Sequence, residues 1–119
     1  MASRQPIVLF VEDEMSVHES LLPGLERKGY KVLHFNRPDD AMGVIRREPR
    51  IDLALLDLHL PIMGSKIIGV VESDGGRRTG LILAREFRRR FRRAPVVIWT
   101  GSPDHDLPRL VHTLGNARL

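Results

Sequence analysis

Carboxylates and one hydroxyl stand directly after apolar runs at three separate places in the chain. Glu12, Asp13 and Glu14 follow the first run, Asp57 closes the second, and Thr100 follows the third. If these runs are neighbouring parallel strands, the side chains meet at one edge of a sheet, where ligands bind in such folds. Crowded carboxylates repel one another unless a cation lies between them. Oxygen ligands of this kind, in a chain without cysteine, predict a Mg²⁺ site.

The segments that must position these residues alternate between strand and helix patterns. Short β-branched runs without polar alternation are typical of strands buried on both faces. They predict strands at 7–11, 31–35, 51–56 and 95–99, with a fifth beginning within 116–119. The spacing of apolar residues predicts helices at 15–28, with a kink or interruption at Pro23-Gly24, at 36–47, at 80–91 and at about 103–113. This alternation predicts an α/β fold with a doubly wound parallel sheet.

Length and composition narrow the class of protein further. The 119 residues suit a single domain, and the absence of cysteine excludes disulfides and thiolate sites. No window of about 18 residues is apolar enough for a membrane span, and the first residues lack the layout of a signal peptide. We therefore expect a cytoplasmic protein without a membrane partner.

Positive charge is concentrated in one segment. The first 60 residues carry a net charge of −2 and the remainder carry +6, and eight of the sixteen arginines lie between Arg77 and Arg93. Phe87 and Phe91 are interpreted as the buried stripe of the third helix, with the arginines on its solvent side. A solvated face and a binding face for an acidic partner both remain open. Nucleic acid is not favoured as a partner, because no exposed aromatic residues interleave the arginines and no DNA-binding motif is recognisable.

At the acidic positions the chain resembles the receiver domain of response regulators, the CheY-like module of two-component signal transduction. The matching motifs are Glu12-Asp13 after Val-Leu-Phe-Val, Asp57 at the end of Leu-Ala-Leu-Leu-Asp, Pro61 four residues later, and Thr100-Gly101 after Val-Val-Ile-Trp. The resemblance covers about residues 6–119. It implies a flavodoxin-like topology with strand order 2-1-3-4-5.

The resemblance also implies a role for each matching acidic residue. Asp57 would be the phosphoacceptor, a nucleophile that takes a phosphoryl group from a histidine kinase or a phosphotransfer protein. Mg²⁺ would be held by the carboxylates of Glu12, Asp13 and Asp57 and by the backbone carbonyl of His59. The ion would offset charge on the transferring phosphoryl group.

Two further positions complete the implied switch. Thr100 would hydrogen-bond a phosphoryl oxygen, and Gly101 would leave room for the phosphoryl group to enter. The added negative charge would bias a two-state arrangement that a partner or an output domain outside this chain detects, with a homodimer as a further form. The chain would be a phosphoprotein rather than an enzyme, with only its own Mg²⁺-dependent phosphorylation and dephosphorylation.

An insertion distinguishes the chain from the family pattern. Thr100 lies 43 positions after Asp57, more than in the family, which predicts extra residues at about 62–79. Their pattern predicts a hairpin with a strand at 66–71 and a turn at 73–76. The hairpin is interpreted either as a passive surface feature or as one that borders the phosphorylation site or contacts a partner.

Other positions depart from the pattern as well. The family's lysine near the end of strand five falls beyond Leu119, and Leu119 takes the place of an aromatic switch residue. We therefore expect a receiver that is truncated before its last helix. His59 and Ser102 occupy positions that tune the lifetime of the phosphoryl group in the family, which predicts an altered hydrolysis rate.

Three rival functions use the same residues differently. The main alternative is a degenerate receiver, an unphosphorylated protein-interaction module. A phosphatase of the haloacid-dehalogenase type would need a second aspartate two residues after Asp57, where His59 stands. A nucleotide-binding domain would need glycines where Glu12 begins an acidic run that repels a pyrophosphate.

Trp99, which ends the fourth strand, is interpreted as core or half-buried cover.

Overall fold

The computed structural model of the chain describes residues 5–13, 15–69, 73, 75–76, 78–99 and 117–118. The strands of these residues are β1 (Ile7–Val11), β2 (Lys31–Phe35), β3 (Leu53–Asp57), β4 (Val96–Trp99) and β5 (Ala117–Arg118), and the helices are α1 (Met15–Arg27), α2 (Pro38–Arg47) and α3 (Thr79–Arg90). The strands predicted at 7–11 and 31–35 are confirmed at both ends, and the other elements shift by one or two residues. The helix predicted at about 103–113 lies outside the described residues.

All five strands are parallel and form one sheet in the order β2-β1-β3-β4-β5. The predicted doubly wound sheet and its strand order are confirmed. The register places Val11 of β1 beside Leu56 of β3, and Asp57 of β3 beside Trp99 of β4. The carboxyl ends of these three strands therefore finish at the same edge of the sheet.

The prediction of strands buried on both faces is confirmed for β1 and is wrong for β2, whose residues are half-buried or exposed, whereas β3 and β4 alternate between buried and half-buried residues. Four of the five β1 residues, from Val8 to Val11, have no exposed surface. Helices α2 and α3 pack against each other. Their fully buried Ile45, Leu83 and Phe87 belong to the same core cluster as the inner residues of the strands. None of the helices in the described part of the chain has the length and apolarity that a membrane span requires.

Prolines lie within or at the start of two helices. Helix α1 continues through Pro23 from Met15 to Arg27, so the helix is not interrupted there. Helix α2 begins at Pro38, two residues after the predicted start, with Arg37 as its N-cap in extended backbone. Proline is favoured at the first helical position because the amide that it lacks would have no partner within the helix.

The insertion is not a hairpin in its described part. Residues 66–68 form a bend where a strand was predicted, and residues 70–72 lie outside the described residues. The backbone amides of Ile67 and Ile68 donate to the hydroxyl oxygen of Ser65, at 3.3 and 2.9 Å. Amides that are satisfied by a nearby side chain do not enter a strand ladder, and this explains the failed prediction.

The insertion is closed at its base. The hydroxyl of Thr79 lies 2.8 Å from the carbonyl oxygen of Leu60 and 3.1 Å from that of Gly76. The amide of Gly76 donates to the hydroxyl of the buried Ser73 at 3.1 Å. Gly76 has a φ of +93°, and a Cβ there would lie 3.2 Å from the carbonyl oxygen of Leu60. These contacts return the chain to the end of the segment that follows β3.

The arginine segment at the end of α3 combines exposed and bonded side chains. Phe87 is buried and its ring centre lies 5.0 Å from that of the half-buried Phe91, so the predicted apolar stripe is confirmed. A terminal nitrogen of Arg88 donates to the carbonyl oxygens of Phe91 and Arg92, at 3.0 and 2.8 Å. These bonds satisfy carbonyls at the end of the helix, where positive charge is also favoured by the helix dipole. Arg89 is exposed.

Candidate metal centre at the carboxyl edge of the sheet

Three carboxylates meet where β1 and β3 end. Glu12 and Asp13 directly follow β1, and Asp57 is the last residue of β3. One carboxylate oxygen from each residue lies within 4.8 Å of the other two. Glu12 is buried, with 2% of its surface exposed, whereas Asp57 is half-buried and Asp13 is exposed. The structure thus brings together three of the four carboxylates that the strand ends predicted, and the fourth, Glu14, lies outside the described residues.

The burial of Asp57 and the acidic residues beside it disfavour the charged form of its carboxyl group. Burial, with contributions from the adjacent Glu12 and Asp13 and against the lowering effect of a hydrogen bond, raises the pKa of Asp57 to about 7. That bond comes from the backbone amide of His59, which donates to Asp57 Oδ1 at 3.0 Å. Burial, with a contribution from Glu12, also raises the pKa of Asp13. A cation between the carboxylates would relieve this repulsion.

The donor set fits a hard divalent cation. The cluster offers carboxylate oxygens from the ends of two neighbouring strands, and one of the three residues, Asp13, is exposed to solvent. Mg²⁺ prefers a small number of such oxygens and keeps several water ligands, which the exposed side of the cluster would admit. The chemistry of these three residues is therefore compatible with the predicted ion.

Of the three remaining predicted site residues, the structure describes one, His59. His59 is half-buried beside the cluster and contacts it through its backbone amide. Thr100 and Gly101 lie outside the described residues, and their roles stay predictions.

Trp99 contacts the cluster in a way that the sequence interpretation missed. Its indole Nε1–H donates to Glu12 Oε2 at 2.8 Å. The backbone of Glu12 is also held, because its amide donates to the carbonyl oxygen of Phe35 at 3.1 Å and its carbonyl oxygen lies 3.2 Å from His34 Nε2. Trp99 was interpreted as core or cover. The signal available in the sequence was an indole donor at the end of a strand that neighbours the strand of Asp57.

A second missed residue is Gly80, near the start of α3. Its amide donates to the carbonyl oxygen of Leu58 at 2.9 Å. A Cβ at Gly80 would overlap the carbonyl oxygen of Asp57 and lie 2.8 Å from the Leu58 Cα. Only glycine allows the helix to start this close to the backbone that carries Asp57.

The returning end of the insertion lies beside the residues that follow Asp57. His59, Leu60 and Pro61 line a shallow pocket of about 240 Å³ together with Gly75 and Gly76. The insertion therefore borders the segment next to the acidic cluster.

Comparison with known proteins finds solved structures with a similar fold. No protein-family model matches the sequence, and no curated protein matches it. A CheY-like response-regulator receiver domain protein from Methanospirillum hungatei JF-1 has a TM-score of 0.76 and 20% identity, over 98% of this chain and 81% of that one. The BeF3-activated N-terminal receiver domain of RstA from Klebsiella pneumoniae has a TM-score of 0.68 and 27% identity, over 95% of this chain and 83% of that one.

A third similar structure contains a phosphorylated aspartic acid. It is a response regulator protein from Burkholderia pseudomallei with a phosphorylated aspartic acid, a calcium ion and citrate. Its TM-score is 0.73 and its identity 23%, over 96% of this chain, which spans 58% of that protein's length. The chain has the fold of response-regulator receiver domains, so the resemblance inferred from the motifs is confirmed for the fold.

Proposed function

We propose that this chain is a phosphoacceptor receiver domain that takes a phosphoryl group onto Asp57 in the presence of Mg²⁺. The observation that carries the proposal is the convergence of Glu12, Asp13 and Asp57, with oxygens within 4.8 Å of one another, at the carboxyl edge of a receiver-type sheet. A carboxyl whose pKa is raised to about 7 by burial and by two neighbouring acids is poised for a cation.

In the proposed reaction Asp57 is the nucleophile. One of its carboxylate oxygens forms a bond to phosphorus while the bond from phosphorus to a histidine nitrogen of the donor breaks, and the electron pair of that bond stays on the nitrogen. The amide of His59 holds the Asp57 carboxylate in place through Oδ1. Glu12, Asp13 and the carbonyl of His59 would hold Mg²⁺ together with Asp57. When bound, this ion offsets negative charge on the phosphoryl oxygens.

The similar structures support this proposal. The Burkholderia pseudomallei regulator carries a phosphorylated aspartic acid with a calcium ion. The RstA receiver domain was activated with BeF3. We extend the same kind of modification to Asp57 because this chain shares the fold and brings three carboxylates together at the carboxyl edge of its sheet.

The proposal also covers partners and cellular setting. The phosphoryl donor is a histidine kinase or a phosphotransfer protein, and the readout is a partner, an output domain or a second copy of the chain. Thr100 and Gly101 are assigned to the phosphoryl group by the sequence motif alone. The chain acts in the cytoplasm as a phosphoprotein and not as an enzyme on other substrates.

The test is phosphorylation of the purified chain by a small phosphodonor. Wild type and Asp57→Asn are incubated with acetyl phosphate, with and without Mg²⁺, and the mass of the intact protein is measured. We expect one added phosphoryl group on the wild type only with Mg²⁺, and none on Asp57→Asn. Binding of Mg²⁺ without phosphorylation would favour the unphosphorylated interaction module, and the absence of both would overturn the proposal.

A further inference from the structure

The indole of Trp99 reaches the acidic cluster across a whole strand. Trp99 ends β4, Glu12 follows β1, and β3 lies between these two strands in the sheet. Its Nε1–H nevertheless lies 2.8 Å from Glu12 Oε2. The hydrogen bond therefore joins the two strands that flank the strand carrying Asp57.

Trp99 is itself fixed on its backbone and on its ring. Its carbonyl oxygen accepts the amide of Leu58 at 2.9 Å, and its backbone is in register with Asp57. Its ring packs against the fully buried Phe10 at 5.8 Å between centres, and Phe10 packs in turn against His34 at 5.2 Å. A donor held in this way selects one position for the carboxylate that it contacts.

The chemistry of the donor matters for the cluster. Glu12 is 2% exposed, and a buried carboxylate needs hydrogen-bond donors in place of the water that it has lost. An indole N–H is a donor only and carries no charge. It therefore satisfies one oxygen of Glu12 without adding the positive charge that would weaken the attraction of the cluster for a cation.

We propose that Trp99 is a positioning residue for the metal centre, which holds Glu12 through Oε2 in the orientation that cation binding requires. This inference rests on the proposed function, because it concerns the same acidic cluster. It also gives β4 a direct link to the cluster, at the residue immediately before Thr100. Binding of a cation to the cluster should then change the environment of the indole N–H.

The first experiment measures Mg²⁺ affinity by calorimetry on wild type and Trp99→Phe. Phenylalanine keeps an aromatic ring and removes the N–H. Loss of a group that orients a metal ligand lowers metal affinity by about 10- to 100-fold, so we expect a rise in Kd of about tenfold or more. The matched control is Phe91→Leu, which removes a half-buried aromatic ring that packs against the core directly after α3 and should lower stability without changing the Kd.

The second experiment uses the single tryptophan of the chain as a probe. A ¹⁵N-labelled sample gives one indole cross-peak. We expect it to shift on addition of Mg²⁺, and to exchange faster with water in Glu12→Ala, which lacks the acceptor. This measurement on the wild type decides the inference even if Trp99→Phe does not fold.

The outcomes separate the two proposals. If the wild type and Trp99→Phe bind Mg²⁺ with the same Kd, Trp99 is not a positioning residue. The same follows if the wild type binds Mg²⁺ and the indole peak does not shift. In both cases the phosphoacceptor function stands. If the wild type neither binds Mg²⁺ nor becomes phosphorylated, the proposed function fails and the inference fails with it.

Discussion

Gly80 lies so close to Asp57 that a methyl group on its Cα would overlap the Asp57 carbonyl oxygen. The same Cβ would lie 2.8 Å from the Asp57 carbonyl carbon. Both partners are backbone atoms, which cannot move aside as the end of a flexible side chain can. The start of α3 is therefore packed directly onto the backbone of the residue that we assign as phosphoacceptor.

Gly80→Ala should destabilise the protein and disturb Asp57. Alanine gains about 1 kcal/mol over glycine within a helix, but forcing extra volume into a packed site costs about 1–3 kcal/mol. We expect a net loss of stability in urea unfolding, together with slower phosphorylation by acetyl phosphate because the backbone of β3 must shift.

Gly43→Ala is the matched control for this variant. Gly43 lies inside α2, and its Cβ would meet only the flexible end of Arg47, at 3.7 Å. Helix propensity alone should then stabilise the protein by about 0.5–1 kcal/mol. Equal effects of the two substitutions would show that Gly80 has no special packing role.

The positions of the acidic residues could be predicted because they depend on strand ends alone. Asp57 closes a run of buried residues, and Glu12 follows another, so parallel pairing is enough to bring them together. This inference needs no knowledge of side-chain contacts. The strand order followed from the same motifs through the family resemblance, and it is confirmed.

The side-chain hydrogen bonds between residues that are distant in sequence could not be predicted. The bond from Trp99 to Glu12 spans two strand spacings and depends on one side-chain orientation. The bend at residues 66–68 depends on a contact between Ser65 and Asp39, which are 26 residues apart. Local β-propensity favours a strand at 66–68, but the hydrogen bond between Ser65 and Asp39 of α2 holds the backbone in a bend instead.

Asp39 should control the order of the first part of the insertion. Its two carboxylate oxygens accept the Ser65 hydroxyl at 2.5 Å and the Lys66 amide at 2.8 Å. A hydrogen bond to a charged group contributes about 1.5–3 kcal/mol. We expect Asp39→Asn to speed hydrogen exchange of the amides at 66–68 by about tenfold or more, since 1.4 kcal/mol corresponds to a factor of ten.

Asp40→Asn provides the comparison for Asp39→Asn. Both residues lie in the first turn of α2, where negative charge is favourable, but Asp40 is exposed. Faster exchange at 66–68 in both variants would assign the effect to the helix end and not to the contact with Ser65.

His59 should affect how long a phosphoryl group remains on Asp57. Its side chain is half-buried and lines the pocket beside Gly75 and Gly76. His59→Ala keeps the backbone amide that holds Asp57 and removes an imidazole that lines this neighbouring pocket. We expect water to reach Asp57 more easily without this side chain, and the phosphorylated state to have a shorter lifetime, measured by its decay after the phosphodonor is removed, with an unchanged Kd for Mg²⁺. An unchanged lifetime would show that the imidazole does not restrict the access of water to Asp57.

The stability of the protein without metal should fall as pH rises towards neutrality. The pKa of Asp57 is raised from its ordinary 3.8 to about 7, mainly by burial and then by Glu12 and Asp13. Between these two values the folded protein keeps a proton that the unfolded chain has lost. Raising the pH through this window therefore lowers the free energy of unfolding, and the decline ends above a pH of about 7.

Two variants and Mg²⁺ test this pH dependence in urea unfolding. Asp57→Asn should lose the part of the slope that Asp57 contributes and keep the part from Asp13, whose pKa is also raised. It should be more stable than wild type above pH 7, because it carries no charge to repel Glu12. Asp39→Asn should keep the slope, since hydrogen bonds from Ser65 and Lys66 hold the pKa of Asp39 below 3.8, outside the window. Mg²⁺ competes with the proton on Asp57, so its affinity should fall by up to about tenfold per pH unit below neutrality. A wild-type slope that survives in Asp57→Asn would place the titrating group elsewhere.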